Sequence, residues 1–339
     1  MTLQKAPLEL DIHSAPGWLA AQGLTGSHAI GALRCEELGG GVSNRVILAE
    51  APGFRAILKQ SLGRLNVERE WLSDRSRIFR EAAAMRWLAG QVRGGHIPKV
   101  IAEDLESFAI AMEAAPPEAV MWKTRLLAGE AHTSHARAAG AMLGSIVSAS
   151  WNHPEARRLF GDQTVFDQLR LEPYYRFTAA RHPSLQTYFA DLIEKSQARR
   201  VSLVHGDWSP KNLLVGSEEA PSAGMWAIDW EVVHYGDPSF DAAFLLNHLL
   251  LKSIARPEMR VRLAELAQQF QQALALALPP EAAWMESAAL EHLPALLLAR
   301  VDGKSPAEYL DEAGRSQARQ LAISLMSKPA ASVQEAFAR

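Results

Sequence analysis

The chain has 339 residues and a mass of 37.2 kDa, with 48% hydrophobic and 22% charged side chains, enough for one large domain or two ordinary ones. A formal net charge of -3 and a sequence pI near 6.4 leave no excess of Lys and Arg, which argues against nucleic acid or an anionic membrane as partner. A single cysteine, Cys35, excludes an intramolecular disulfide framework. With no basic-then-apolar leader and no apolar run of roughly 20 residues, the expectation is a cytoplasmic protein, monomer or homodimer, whose partner is a small molecule.

Residues 1–33 mix helical pattern with Pro and Gly and read as an N-terminal cap. From Arg34 the character changes to β-type runs joined by Gly-rich or Pro-Gly turns, which predicts an antiparallel meander. The turn Gly39-Gly40-Gly41-Val42-Ser43 lets backbone N–H groups approach an anion, although such turns are often only turns. Lys59 closes the third run, where an ordinary surface lysine is the plain alternative.

A helix follows over 76–90, with Ser76 as expected N-cap and Gly90 as stop. Stepping +3 from Ile78 lands on Glu81, which places that carboxylate on the apolar face with Met85 and Leu88. A buried carboxylate needs a cation or donor, and Lys59 is the candidate; Glu68 and Glu70 are rivals from the preceding segment.

Two more β-type runs lead to Met112-Glu113-Ala-Ala115-Pro116-Pro117, a stiff connection read as a hinge. Helices are predicted within 131–151 and over 185–198, 238–254, 257–276, 281–299 and 305–327. The predicted fold class is α+β, with a β-rich lobe at 34–115, a helical lobe at 116–339 and a ligand cleft between them.

The stretch 201–231 carries the chemistry. Two apolar runs deliver Asp207 and Asp229, with Asn212 five residues after the first acid. Phosphoryl transfer from ATP needs a cradled triphosphate, charge neutralisation by Lys and metal, and an aimed acceptor hydroxyl. Gly39–Gly41 would cover the phosphates, Lys59 paired to Glu81 would contact them, and Met112 to Ala115 would offer backbone groups to adenine. Asp207 would orient or deprotonate the hydroxyl, while Asn212 and Asp229 would ligate Mg²⁺. Asp-x-x-x-x-Asn is the kinase catalytic-loop spacing, and His205 before it is read as structural or loop-bonding rather than catalytic.

On these residues the chain resembles the aminoglycoside phosphotransferase, choline kinase and methylthioribose kinase group over about 35–325. The resemblance implies a two-lobed protein-kinase-like fold acting on small molecules. Leu58-Lys59-Gln60, the Trp71 loop, Arg77–Glu81 and the Met112 hinge look most like methylthioribose kinase, which typically differs at Trp208, Asn212 and Trp230, so its substrate is not carried over. It also implies that Asp241 bonds the catalytic-loop backbone.

Asp237-Pro238 reads as helix cap and first turn. Of Trp208 and Trp230, one is expected to pack in the core and the other, with Glu231, to wall the acceptor as a stacking surface and carboxylate. Arg300 reads as a solvated helix end or as the partner of an anionic substrate group. A protein kinase is disfavoured, because eight positions from Asp229 to Asp237 leave no room for a long activation segment. The second rival is a kinase fold that binds nucleotide or a partner without catalysis, and the hinge sequence is compatible with GTP in place of ATP as donor.

Overall fold

The run of β-branched and apolar residues after Arg34 forms a five-stranded antiparallel sheet in the order β1-β2-β3-β5-β4. Its strands are β1 (Arg34–Glu37), β2 (Asn44–Ala51), β3 (Phe54–Ser61), β4 (Val100–Asp104) and β5 (Ala109–Glu113). The β2–β3 hairpin turns on Pro52-Gly53, with Gly53 in the left-handed region at φ 77°, where a side chain is disfavoured. The computed structural model describes residues 8–25, 30–39, 44–62, 74–216 and 224–339.

The chain divides into two units: Met1–Ala89 with Pro98–Pro116, and Gly90–Ile97 with Pro117–Arg339. In the first, α1 (Ala15–Ala21) lays Trp18 and Leu19 into one core with Ile47, Ala49, Leu58 and Ala111 of the sheet. Trp18 Nε1 donates to Asp104 Oδ2 at 2.8 Å, and the buried Gln60 accepts from Leu10 N at 2.8 Å. The N-terminal segment therefore belongs to this core. The second helix, α2 (Arg77–Leu88), buries Ile78, Glu81, Met85 and Leu88. Ser76 makes no side-chain cap bond to it. Its amide and hydroxyl are instead held by Asp74, with Oδ1 accepting from Ser76 N at 2.9 Å and Oδ2 from Ser76 Oγ at 2.7 Å.

The second unit is mostly helical. It opens with β6 (Val120–Met121), α3 (Trp122–Ala128), α4 (Thr133–Ser150) and α5 (Pro154–Phe160). Next, α6 (Thr164–Phe166) runs through a π-helix at Asp167–Arg176 into α7 (Phe177–Arg181), and α8 (Gln186–Ala198) follows. Four short strands then carry the acids: β7 (Ser202–Val204), β8 (Leu213–Val215), β9 (Met225–Ala227) and β10 (His234–Gly236). The chain closes with α9 (Ser239–Ala255), α10 (Arg260–Ala277), α11 (Met285–Asp302), α12 (Glu312–Ser327) and α13 (Val333–Ala338).

One boundary differs from the sequence pattern and one stretch without a predicted element is irregular, each for a physical reason. Asp311 Oδ1 accepts from Gly314 N at 2.7 Å, so the last long helix starts there and not at 305. Pro173 lacks an N–H and disrupts the i to i−4 ladder, and the chain around it widens into the π turns. Helices α4 and α10 approach closely at Gly140, where an added Cβ would lie 2.3 Å from the Phe270 carbonyl oxygen. Among the described residues no helix is long and apolar enough to cross a membrane.

Candidate active site

In the first unit, the Lys59 ammonium lies 2.9 and 2.7 Å from the two Glu81 carboxylate oxygens, with both side chains buried. Lys59 sits in β3 between Val46 and Ile110, and the inward face of α2 supplies the carboxylate. Two desolvated charges with this geometry hold each other in place, and removing either takes an opposite charge from a buried group.

Gly39 is exposed in a bend, while Gly40, Gly41 and Ser43 lie outside the described residues, as do Glu68, Glu70 and Trp71. Met112 is paired to Ile57 on one side and Val100 on the other, and Glu113 N donates to Lys99 O at 2.8 Å. The backbone of Ala114 and Ala115 leaves the ladder. Of the hinge residues, Ala115 is thus better placed than Met112 to offer main-chain groups to a ligand.

In the second unit, β7 pairs with β10 and β8 with β9, so that the loop 205–212 leads from one sheet into β8 while the turn at Ile228–Asp229 follows β9, the strand beside β8. Asn212 Nδ2 donates to Asp207 O at 3.1 Å, and Ile228 N donates to Asn212 O at 3.0 Å. One main-chain bond and one side-chain bond therefore tie Asp207, Asn212 and Asp229 into a single constellation. Asp229 adopts φ 67°, a left-handed conformation that costs a non-glycine residue about 1 kcal/mol or more and that concentrates at functional sites.

Asp241, fully buried in the first turn of α9, clamps the loop from behind. Its two oxygens accept from His205 N at 2.6 Å and Gly206 N at 2.9 Å. Burial pushes its carboxyl up to about 7 despite these bonds. Gly206 has φ 78°, and a Cβ there would meet the Val232 side chain at 2.7 Å, so only glycine fits the loop. Asp237 Oδ1 accepts from Ser239 N at 3.0 Å and caps the start of α9.

His205 is a structural member of this loop. Its Nε2 lies 3.0 Å from Ile228 O and donates to it, while Nδ1 accepts from Asp207 N at 3.2 Å. The ring packs 4.4 Å from Trp230 and 5.6 Å from Trp208, centroid to centroid. Burial drives its pKa from 6.5 down to about 4. Between those values the folded state holds fewer protons than the unfolded one, so this contribution is complete above pH 6.5 and is lost as pH falls through about 4. Its size is about 3 kcal/mol at about 1.4 kcal/mol per pKa unit. Urea midpoints measured across that range are expected to fall less steeply for His205→Phe than for wild type; parallel slopes would remove His205 from the account.

Three expectations are corrected. Trp208 and Trp230 are both fully buried, and Trp230 Nε1 donates to Ala227 O at 3.0 Å, so neither indole offers a face to an acceptor. Glu231 is buried as well, and its charge acts on Arg170 rather than facing solvent. Arg300 is no solvated helix end. It is 8% exposed, donates to the Ser305 carbonyl, and reaches Ser305 Oγ at 2.8 Å and Tyr174 OH at 3.4 Å.

The sequence pattern does not reveal Arg170. Its guanidinium Nη2 lies 3.1 Å from Asp207 Oδ2, and its Nε donates to Gly206 O. Burial opposes its charge, but Asp207 foremost, with Tyr174, Glu231 and Asp229, outweighs that and raises its pKa. Arg170 thus supplies a fixed positive charge at the Asp207 carboxylate. It lies in the π-helix, where a 3.6-residue period gives no signal.

No curated protein matches the chain. Among solved structures it is similar to APH(2")-IIIa in complex with GDP and kanamycin, at 14% identity and a TM-score of 0.58, over 94% of this chain and 100% of that one. The streptomycin-ATP-APH(2")-IIa ternary complex matches at 15% identity and a TM-score of 0.51, over 92% and 97%. An ethanolamine kinase from Plasmodium vivax matches at 10% identity and a TM-score of 0.52, over 93% and 87%. At such identities the likeness speaks for the fold, which is α+β and kinase-like. A family model described as the phosphotransferase enzyme family matches residues 34–268, more than half of the chain, which therefore belongs to that family.

Proposed function

We propose that the chain is an ATP- and Mg²⁺-dependent kinase that phosphorylates a hydroxyl group of a small molecule. The observation that carries this reading is the constellation of Asp207, Asn212 and the strained Asp229, joined by the 3.1 Å Asn212–Asp207 bond, in a member of a phosphotransferase family. The first unit is assigned to the nucleotide. Lys59, held by Glu81, contacts the phosphates, Gly39–Gly41 and Ser43 cover them, and the 112–115 hinge takes the adenine. The second unit is assigned to the acceptor.

Asp207 accepts the hydroxyl proton as the acceptor oxygen bonds to the γ-phosphorus. The bond from that phosphorus to the β–γ bridging oxygen breaks, and its electron pair leaves with ADP. The donor set fits Mg²⁺: Asp229 offers a carboxylate and Asn212, whose Nδ2 is engaged by Asp207 O, offers its amide oxygen, both hard ligands. Bound there, the ion would neutralise phosphate charge. The enzyme is assigned to the cytoplasm, whose reducing conditions suit the lone half-buried Cys35.

ATP with Mg²⁺ is expected to raise the melting temperature of the wild-type chain by mass action, and Lys59→Met to abolish most of that rise. GTP run in parallel decides the donor, since ATP and GDP each occur in a complex of a structural neighbour. A wild type unmoved by either nucleotide would favour a non-catalytic kinase fold that binds a partner.

A further inference from the structure

The two carboxylate oxygens of Asp207 have different surroundings. Oδ2 is the one nearer the Arg170 guanidinium, 3.1 Å from Nη2, while Oδ1 accepts no hydrogen bond among the described residues. The side chain is 21% exposed, so one oxygen is committed to the protein and the other stands open to a ligand. A torsion between sp³ and sp² carbons has broad wells, and a carboxylate held by nothing turns easily and presents either oxygen. Phosphoryl transfer depends on aim, because the enzyme contributes mostly by positioning the reacting groups.

Arg170 is itself held on every side. Its Nε donates to the carbonyl of Gly206, the residue before Asp207, and its Nη1 donates to Leu169 O at 2.7 Å. The guanidinium carbon lies 5.7 Å from the ring centres of both Tyr174 and Phe244. All three guanidinium nitrogens are therefore engaged, and the planar fork cannot turn without losing one of these contacts. The two rings come from different elements, Tyr174 from the π-helix and Phe244 from α9. The same α9 holds the loop through Asp241, so Gly206 is gripped at both ends, its N–H by Asp241 and its carbonyl by Arg170. π-Turns are rare and concentrate at functional sites, and this one carries both Arg170 and Tyr174.

We infer that Arg170 is a positioning residue for phosphoryl transfer: by holding Oδ2 it fixes the plane of the Asp207 carboxylate and leaves Oδ1 as the oxygen that takes the acceptor's hydroxyl proton. The inference rests on the kinase reading above and assigns the oxygen within it. The competing account is an arginine that only ties the π-helix to the loop. The two accounts differ in what the Asp207 carboxylate does once the fork is gone.

The test uses two variants. Arg170→Met keeps an apolar stem, and Arg170→Lys keeps the stem and the charge but not the fork, so it carries the test even if Arg170→Met does not fold. Crystal structures of wild type and variants give the first readout. The Asp207 carboxylate is expected to leave its wild-type plane in the variants while Asn212 still bonds Asp207 O. A carboxylate that stays in place overturns the inference. The second readout is single-turnover transfer from ATP with Mg²⁺ to water, which needs no other acceptor. Each variant is expected to slow it about tenfold or more, with the ATP concentration for half-maximal rate within about twofold of wild type. In an Asp207→Asn background the same changes are expected to cost less than about twofold, because a positioning residue then has no base to position. Equal losses in the two backgrounds overturn the inference, and so does a full wild-type rate for Arg170→Lys. If ATP with Mg²⁺ fails to stabilise the wild type, the kinase reading falls; if it stabilises the wild type and the carboxylate stays in place without Arg170, the inference falls and the kinase reading stands.

Discussion

Asp207→Asn is expected to slow phosphoryl transfer by about 10²- to 10⁴-fold while leaving nucleotide binding intact. The substitution keeps the shape of the side chain and removes its capacity to take a proton. It also leaves the loop standing, because the bonds that fix the loop run to main-chain atoms: Asn212 Nδ2 to Asp207 O, Arg170 Nε to Gly206 O, and Asp241 to the His205 and Gly206 amides. Among the described residues, the one contact it weakens is the Arg170 ion pair, with side chains 11% and 21% exposed, where the guanidinium can still bond the amide oxygen. Single-turnover transfer from ATP measures the chemical step, and the melting-temperature rise with ATP and Mg²⁺ measures binding. A variant with unchanged turnover would take the base assignment away from Asp207. Equal loss of turnover and of the temperature rise would instead mark a collapsed loop.

How much of the site is legible in the sequence depends on whether a period or a fixed spacing governs the position. Glu81 is legible because a helix repeats every 3.6 residues, so a carboxylate three places from Ile78 has to turn inward. Asp207 and Asn212 are legible because the loop between them has a fixed length. Trp208 and Trp230 mislead because a loop has no period. Adjacency to an acid says nothing about which way the next side chain points, and both point into the core.

Arg170 is invisible in the sequence because it lies where Pro173 interrupts the regular ladder. Its role comes from neighbours far away in sequence, such as Gly206. Arg300 reads as a helix end, but α11 continues to Asp302 and its last turn is buried. Ser76 makes no side-chain cap bond because a carboxylate two residues earlier accepts both its amide and its hydroxyl.

The buried pair in the first unit supports the second large prediction, because stability and chemistry make opposite demands on it. Glu81→Leu alone takes a carboxylate away from the Lys59 ammonium, 3% exposed, and Lys59→Met alone takes an ammonium away from the buried Glu81. Each single change is expected to cost about 3–5 kcal/mol in urea unfolding. Replacing both charges with apolar groups of similar volume is expected to recover most of that loss, since no desolvated charge remains. Single changes costing less than about 1 kcal/mol would show that the pair behaves like a solvated surface bridge. The double variant then separates the two reasons for having the pair. It is expected to be folded and near wild-type stability, yet it lacks the ammonium proposed to contact phosphate, so ATP with Mg²⁺ should no longer raise its melting temperature. A well-folded double variant that still responds to the nucleotide would mean that the pair is there for the core. One that is stable but unresponsive would mean that a charge the fold can do without is kept for phosphoryl transfer.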